Sequence, residues 1–273
     1  MRRALAGTGK YTSLLVACAV ALVPLVVIVI ASLKTAKDYA TSGPLDLPTH
    51  LTFANFGTAF SKANMAQAFL NTTIILVVSI VGTIAIGTMA AYAIDRFEFR
   101  FKKAIVALFL LATLVPAVTT QVATFQVVNT LGLYNTRLAP IALFMGTDIV
   151  SIYIFVQFMR SIPVSLDEAA TLDGANHFTI YRRVIFPLLK PAIATVVIIK
   201  GIAIYNEFYI PFLYMPSQQL GVVSTSLFRF KGPFGTQWEV LSAGAIIVII
   251  PTLIVFLLLQ RFIYNGLSAG AVK

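Results

Sequence analysis

Long apolar runs alternate with short polar stretches along the chain, and the lengths of the runs carry the first inference. Crossing a hydrocarbon core of about 30 Å takes about 20 helical residues. Runs of that length fall at 11–33, 68–94, 104–128, 138–159, 192–214 and 240–262. The pattern predicts an all-α polytopic membrane protein with six transmembrane helices. The main polar stretches are 34–67, rich in Pro, Thr and Asn, then 95–103, 161–191 and 215–239.

The stretch 161–191, SIPVSLDEAATLDGANHFTIYRRVIFPLLKP, is anomalous for its length and charge. Ser165 stands three residues before Glu168, the spacing of a capping box, so a short helix is expected to begin near Ser165. It continues through Leu166, Ala169, Ala170 and Leu172, and Asp173-Gly174 supplies the residue that best tolerates the left-handed geometry closing a helix. A second helical segment places Phe178, Tyr181, Ile185 and Leu188 on one stripe, with Arg182 and Arg183 off it and Pro187 and Pro191 limiting its extent. The expectation is a helix, a glycine turn and an amphipathic helix along a membrane face. An ordinary interfacial helix would explain the stripe. It would not explain the cap spacing, the alanine pair and the glycine turn together.

Composition agrees with the runs. Of 273 residues, 59% are hydrophobic and 11% charged, too little polar surface for a soluble globule. The net charge of +10 would suggest nucleic acid in a soluble protein, but here the basic residues sit at the ends of apolar segments, so nucleic acid is not an expected partner and membrane lipids are. Arg2, Arg3, Lys10, Arg96, Arg100, Lys102, Lys103, Arg160, Arg182, Arg183, Lys190, Arg261 and Lys273 fall on one side of the predicted spans. Fewer than half as many, Lys34, Lys37, Lys62, Arg137, Arg229 and Lys231, fall on the other. Both termini and 161–191 are therefore expected on the cytoplasmic side. This divides the chain into a cytoplasmic N-terminus (1–10), a transmembrane region (11–262) and a cytoplasmic tail (263–273).

The N-terminal region carries two misleading signals. Leu15-Val16-Ala17-Cys18 is similar to a lipoprotein cleavage box, but the apolar run continues past Cys18, so a retained first helix is expected. Gly7-Thr8-Gly9-Lys10 has part of a phosphate-binding loop, yet Ala4 and Tyr11 stand where a Walker motif needs Gly and Ser or Thr. No ATP site and no bound cofactor are expected in this chain, and no catalytic residues. A single cysteine allows no intrachain disulfide, and His50 and His177 lack partners at ligand spacing, so no metal site is expected.

Charged groups at a bilayer centre cost about 2.5–3.5 kcal/mol, so those retained are functional candidates. Lys200 and Glu207 lie two turns apart in the fifth run, about 10.5 Å along the axis, too far for a direct bond. Asn206 beside Glu207 offers amide donors and acceptors suited to sugar hydroxyls. Gln121 and Gln126, near Pro116, are further candidates for lining a path, and Asp148 for a salt link or a transport role. For Asn206 and Glu207 the competing reading is interhelical hydrogen bonding.

The sequence EAATLDGA, with Val184, Pro187, Leu188 and Pro191 downstream, resembles the EAA loop of ABC-importer membrane subunits, in the variety found among carbohydrate importers of the maltose type. Three more segments are similar to that family: Leu51-Thr52-Phe53-Ala54-Asn55-Phe56, Gly132-Leu133-Tyr134-Asn135-Thr136 and the end from Gln260 to Lys273. Tyr205-Asn206-Glu207-Phe208 resembles its aromatic-Asn-acid-Phe motif; Lys200 has no counterpart in it. The resemblance implies a multi-pass permease of a bacterial or archaeal plasma membrane that pairs with a homologous second permease as a heterodimer. Two ATPase subunits would use the ATP, and an extracytoplasmic sugar-binding protein would deliver an oligosaccharide or related carbohydrate. It further implies that Glu168, Ala169, Ala170, Asp173 and Gly174 form a coupling helix docked on an ATPase. Lys200, Asn206, Glu207 and Gln121 are the candidates for the translocation path. The rival reading is an ion-coupled secondary transporter with Lys200 and Glu207 as a relay, against which stands the lack of an obvious inverted repeat.

Overall fold

The computed structural model describes residues 2–116, 119–146, 148–232 and 235–271. Helix dominates, because backbone N–H and C=O groups facing lipid must be satisfied within their own segment. In order the helices are α1 (Arg2–Ser32), α2 (Ala36–Thr41), α3 (Ala54–Lys62), α4 (Met65–Arg96), α5 (Lys102–Leu114), α6 (Gln121–Thr130), α7 (Leu138–Gly146) and α8 (Ile149–Met159). There follow α9 (Ser165–Leu172), α10 (His177–Ile180), a π-helical turn (Tyr181–Ile185), α11 (Phe186–Leu188), α12 (Lys190–Asn206), α13 (Tyr209–Tyr214), α14 (Val223–Ser226) and α15 (Trp238–Ala271). A two-residue antiparallel ladder pairs Lys231–Gly232 with Gly235–Thr236.

Among the described residues, Lys10–Ser32, Met65–Arg96 and Trp238–Leu258 are each long and apolar enough to cross a membrane. Two bent pairs meet the same condition only when taken together, Leu138–Gly146 with Ile149–Met159 and His177–Leu188 with Lys190–Asn206. The expected third run, 104–128, is not one helix. Pro116 disfavours helical geometry in the residue before it; Val115 is extended (φ −80°, ψ 116°), α5 ends at Leu114 and helix resumes at Gln121. The fifth run, 192–214, is likewise divided. Pro211 has no N–H to give the carbonyl four residues back and crowds it. That carbonyl belongs to Glu207, which is extended (φ −67°, ψ 119°) and accepts instead from the Ser224 hydroxyl at 2.6 Å.

The chain falls into two compact units, Met1–Ala68 with Thr225–Ile254, and Phe69–Ser224 with Val255–Lys273. In the first, Asn55 ties off the end of α1: its amide donates to the Ser32 and Lys34 carbonyls at 2.8 Å each, groups a helix end leaves without partners. Lys34 is buried, its Nζ donating to Ser42 Oγ and the Gly43 carbonyl at 2.7 Å. The Asp38 carboxylate accepts from the Thr49 hydroxyl (2.7 Å) and the Thr49 amide (3.1 Å), and the hydroxyl bond above all holds its pKa below the usual aspartate value. A depressed carboxylate stabilises the fold above its ordinary pKa and loses that contribution as pH falls through the lowered one. The protection of the Thr49 amide against exchange, taken relative to the intrinsic rate at each pH, is therefore expected to fall as pH falls into that range, and an Asp38→Asn variant to lack the dependence.

In the second unit, glycines on α4 let other helices approach closely, a packing mode that small residues permit in membranes. A Cβ on Gly87 would lie 2.9 Å from the Phe155 ring, and one on Gly82 only 2.1 Å from the Met145 methyl. One apolar cluster gathers Tyr92, Phe155, Met159, Ile180, Ile185, Leu189 and Val196; another gathers Ile75, Ile141, Phe144, Ile204, Met215 and Val222. Asn71, fully buried, donates to the Gln219 and Gly221 carbonyls and accepts from Arg137 Nε, each at 2.9 Å. Asn71→Leu orphans all three partners, at about 1–3 kcal/mol per buried group. A melting curve of the detergent-solubilised variant is expected to show the loss.

The GLYNT segment has a role of the same kind. Gly132 (φ 67°) and Asn135 (φ 57°) both take left-handed geometry. The Asn135 backbone N–H donates to the Tyr214 carbonyl at 2.8 Å, while its side chain donates to Ser217 Oγ (2.8 Å) and accepts from the Ser217 amide (3.1 Å). The far end of α13 is thereby fixed to this turn.

Candidate functional site

Helix α9 spans Ser165–Leu172, where the capping-box spacing placed it, but the box itself does not form. Val164 holds the cap position with helical dihedrals (φ −63°, ψ −26°) and makes no side-chain cap. The first turn is wound one step earlier: Leu166 N–H donates to the Pro163 carbonyl at 3.2 Å, and Glu168 N–H to that of Val164 at 3.1 Å. Val164 is itself helical, so Ser165 becomes the first helical residue rather than the cap. Asp167 and Glu168 lie in that turn, where negative charge suits the helix dipole.

The other end forms as the sequence implies. Gly174 has φ 81°; its N–H donates to the Thr171 carbonyl at 2.9 Å and the Ala175 N–H to that of Ala170 at 3.0 Å. This is the paired bond of a Schellman motif. A Cβ on Gly174 would meet nothing within 4 Å, so conformation rather than crowding demands glycine here. Glu168, Ala169, Asp173 and Gly174 are exposed and Ala170 is half-buried. Leu172, 90% exposed, and Val164, 54%, form an apolar rim on a cleft of about 400 Å³ beside α4, and Phe178 is 64% exposed.

The second segment departs from the expected stripe. Asn176 caps it, its side chain accepting from the Thr179 N–H at 2.9 Å. The π-helical turn then brings residues five apart onto one face. Ile180 and Ile185 are buried together with Leu189, whereas Phe178 and Leu188, two members of the expected apolar stripe, are exposed. His177 stands at the first position of α10, its ring 5.0 Å from Phe97.

Two residues passed over in the sequence hold this hairpin to α4. The Arg96 guanidinium, its side chain 7% exposed, bonds Asp95 Oδ2 at 2.7 Å and the Ile162 carbonyl at 2.8 Å. Its Nε lies 3.1 Å from Asp167 Oδ2, off the line of the N–H, so this contact is an ion pair without a directed hydrogen bond. Arg160 approaches the other Asp95 oxygen at 3.9 Å. The only sequence signals were a basic residue closing an apolar run and an acid next to Glu168.

The polar residues of the spans do not converge on one site. Lys200 Nζ lies 3.0 Å from Asp148 Oδ2, with both side chains largely buried. Asp148 also caps α8, accepting from the Ser151 amide at 3.3 Å and from its hydroxyl. The Glu207 carboxylate accepts from the backbone N–H groups of Tyr209 (2.8 Å) and Ile210 (3.1 Å), capping α13 across the break. Lys200 and Glu207, two turns apart in the fifth run, thus have separate partners. Asn206 is exposed and donates to the Ile202 carbonyl at 2.9 Å; Gln121, half-buried, opens α6. Among the described residues no group of three or more His, Cys, Asp or Glu side chains is placed to hold a metal ion.

Comparison with known proteins agrees with this architecture. Residues 83–268 match the model of the binding-protein-dependent transport system inner membrane component family. The melibiose/raffinose/stachyose import permease protein MelC of Bacillus subtilis (strain 168) is 33% identical over 263 residues, covering 95% of this chain and 94% of that protein. The probable starch degradation products transport system permease protein AmyC of Thermoanaerobacterium thermosulfurigenes is 32% identical over 253 residues, covering 92% and 91%. In fold, the chain is similar to one in the crystal structure of a bacterial ABC transporter involved in the import of the acidic polysaccharide alginate, with a TM-score of 0.83 at 21% identity over 93% of this chain and 95% of that one. The long apolar helices, the hairpin at 161–191 and these matches together make the chain a member of the family of binding-protein-dependent transport system inner membrane components.

Proposed function

We propose that this inner-membrane component is one of two homologous permeases of a bacterial or archaeal ABC importer for an oligosaccharide or related carbohydrate, and that α9 with its glycine turn is the element on which an ATPase subunit docks. The observation that carries the docking role is the exposed tip. Leu172, Val164 and Phe178 present apolar surface beside exposed Glu168 and Asp173, and Ala169 has almost no side chain to hold a partner away. Carboxylates at its edge accept charge-assisted bonds. Both termini and 161–191 are read as cytoplasmic and the span count as six, with a sugar-binding protein on the far side. The ATP is used by the partner ATPases. Within this chain Gly7–Lys10 lies inside α1, where backbone N–H groups serve the helix rather than a phosphate.

The sugar class rests on similarity to importers named for oligosaccharide and starch-product transport. Asn206 supports a path between two permeases, because an exposed amide at the end of an apolar helix, amid an apolar run, is poorly placed against lipid. Glu207 and Gln121 are read as lining near it, and Lys200 as acting through its pair with Asp148. Val20, Val81 and Leu253, more than half exposed, are suited to lipid. A Lys200–Glu207 ion relay has lost its motivation, since each group is already engaged.

The test is a gentle detergent pull-down of the tagged chain from its native membrane, in wild type and Ala170→Glu. Recovery of an ATPase, a second permease and a binding protein, with only the ATPase lost from the variant, is the expected result. A chain that comes down alone under conditions preserving known importers overturns the reading.

A further inference from the structure

We propose that Arg96 and Asp167 form the joint through which displacement of α9 reaches α4, so that α4 is the span driven first when the docking helix moves. The proposal rests on the reading of α9 as the ATPase-docking element and adds to it the route by which motion leaves that element.

Thr88, Tyr92 and Arg96 are four residues apart and so lie one above another on a single face of α4. Each engages the 161–191 hairpin. The Thr88 hydroxyl is 2.8 Å from the Tyr181 hydroxyl, and the Tyr92 ring lies 5.5 Å from that of Tyr181. Arg96 reaches the Ile162 carbonyl on the way into α9 and Asp167 within it. One stripe therefore grips both arms of the hairpin, the docking helix through charge and the π-helical turn through an aromatic and a hydroxyl.

The covalent route out of α9 is weaker. It runs through the turn at 161–164 and the glycine turn at 173–175, neither of which is regular helix. A guanidinium is a planar fork with fixed donor directions; here Asp95 and the Ile162 carbonyl accept from it and so fix its plane, and its Nε then faces the Asp167 carboxylate as an ion pair. Displacing α9 while α4 stands still would separate Asp167 from a largely desolvated cation, which is costly where water is scarce. Moving the two together keeps every contact. Above the joint, α4 continues unbroken to Asn71, about 37 Å away at about 1.5 Å per residue, where the Gln219 and Gly221 carbonyls and Arg137 are held. A pull at Arg96 thus has a rigid element to act on and a fixed load at its far end.

The network is not needed to fold α9, whose own first turn and Schellman motif close it at both ends. Asp167 is accordingly a positioning residue and separable from docking. The experiment uses the whole importer purified with its ATPase in nanodiscs. Cys18, the only cysteine in the chain, is replaced by Ser, and Met89, exposed on α4, by Cys carrying an environment-sensitive bimane dye. The trigger is a non-hydrolysable ATP analogue with magnesium.

In the otherwise unaltered protein the dye is expected to respond to the analogue. In Asp167→Asn the ATPase is expected to remain bound while the response falls by about threefold or more. Asp167→Glu, which keeps the charge, is expected to restore it, and Arg96→Lys to give an intermediate response. An undiminished response in Asp167→Asn with the ATPase still bound overturns the proposal. So does a silent dye in the unaltered assembly, because α4 then does not move. Loss of the ATPase from Asp167→Asn also overturns it, leaving the pair as a support of docking alone. Failure of the docking reading itself is distinct: the unaltered chain then holds no ATPase at all.

Discussion

Replacing Gly174 by proline is expected to strip the ATPase from the purified assembly while leaving the chain in the membrane. Gly174 sits at φ 81°, and proline is fixed near −65°. Proline also removes the N–H that bonds the Thr171 carbonyl, so both the geometry and one of the two closing bonds of α9 are lost. Because nothing lies within 4 Å of a Cβ built there, a graded series separates conformation from crowding. Gly174→Asn is expected to be nearly silent, since asparagine tolerates left-handed geometry, and Gly174→Ala to cost about 1 kcal/mol. Gly174→Pro is expected to prevent the helix from closing. Membrane insertion, measured by fractionation, depends on the apolar runs and should match wild type in all three. Undiminished ATPase recovery with proline would show that the exposed tip docks without its turn.

The second large effect is expected at Lys200 and Asp148. With Nζ and Oδ2 3.0 Å apart and side-chain exposures of 16% and 10%, each charge is the other's compensation. Removing one partner of such a buried pair costs about 3–5 kcal/mol, whereas replacing both with groups of similar shape is often close to neutral. Lys200→Met or Asp148→Asn alone should therefore lower the yield and melting temperature of the solubilised protein sharply, and the double variant should recover most of the loss. Asp148→Asn keeps an acceptor for the Ser151 amide, so the cap on α8 survives and the lost charge is isolated. Equal losses in the single and double variants would mean that the two side chains do not compensate one another.

The division between what could and could not be read in advance follows the range of the forces involved. Glycine at a left-handed position and the start of α9 at Ser165 were legible because capping and turn geometry are decided within a few residues. The capping box was not, because Ser165 also satisfies the simpler arrangement in which Pro163 begins the turn one step earlier. The apolar stripe of the second helix was only partly legible for a related reason. An α-helical period was applied across Tyr181–Ile185, where an i to i+5 turn shifts the face toward Ile180 and Ile185.

The apolar runs by themselves determined that the chain is helical and belongs in a membrane, since lipid imposes its condition on every segment separately. The EAATLDGA segment by itself pointed to the family. Prolines marked the breaks in the third and fifth runs, yet the continuous hydropathy there concealed them. Only the tertiary structure decided which charges pair. Lys200 finds Asp148 rather than Glu207, and Arg96 finds Asp167, because partners distant in sequence meet only where particular helices lie side by side. Hydropathy is a property of each helix alone, whereas a counter-ion is a property of its neighbour.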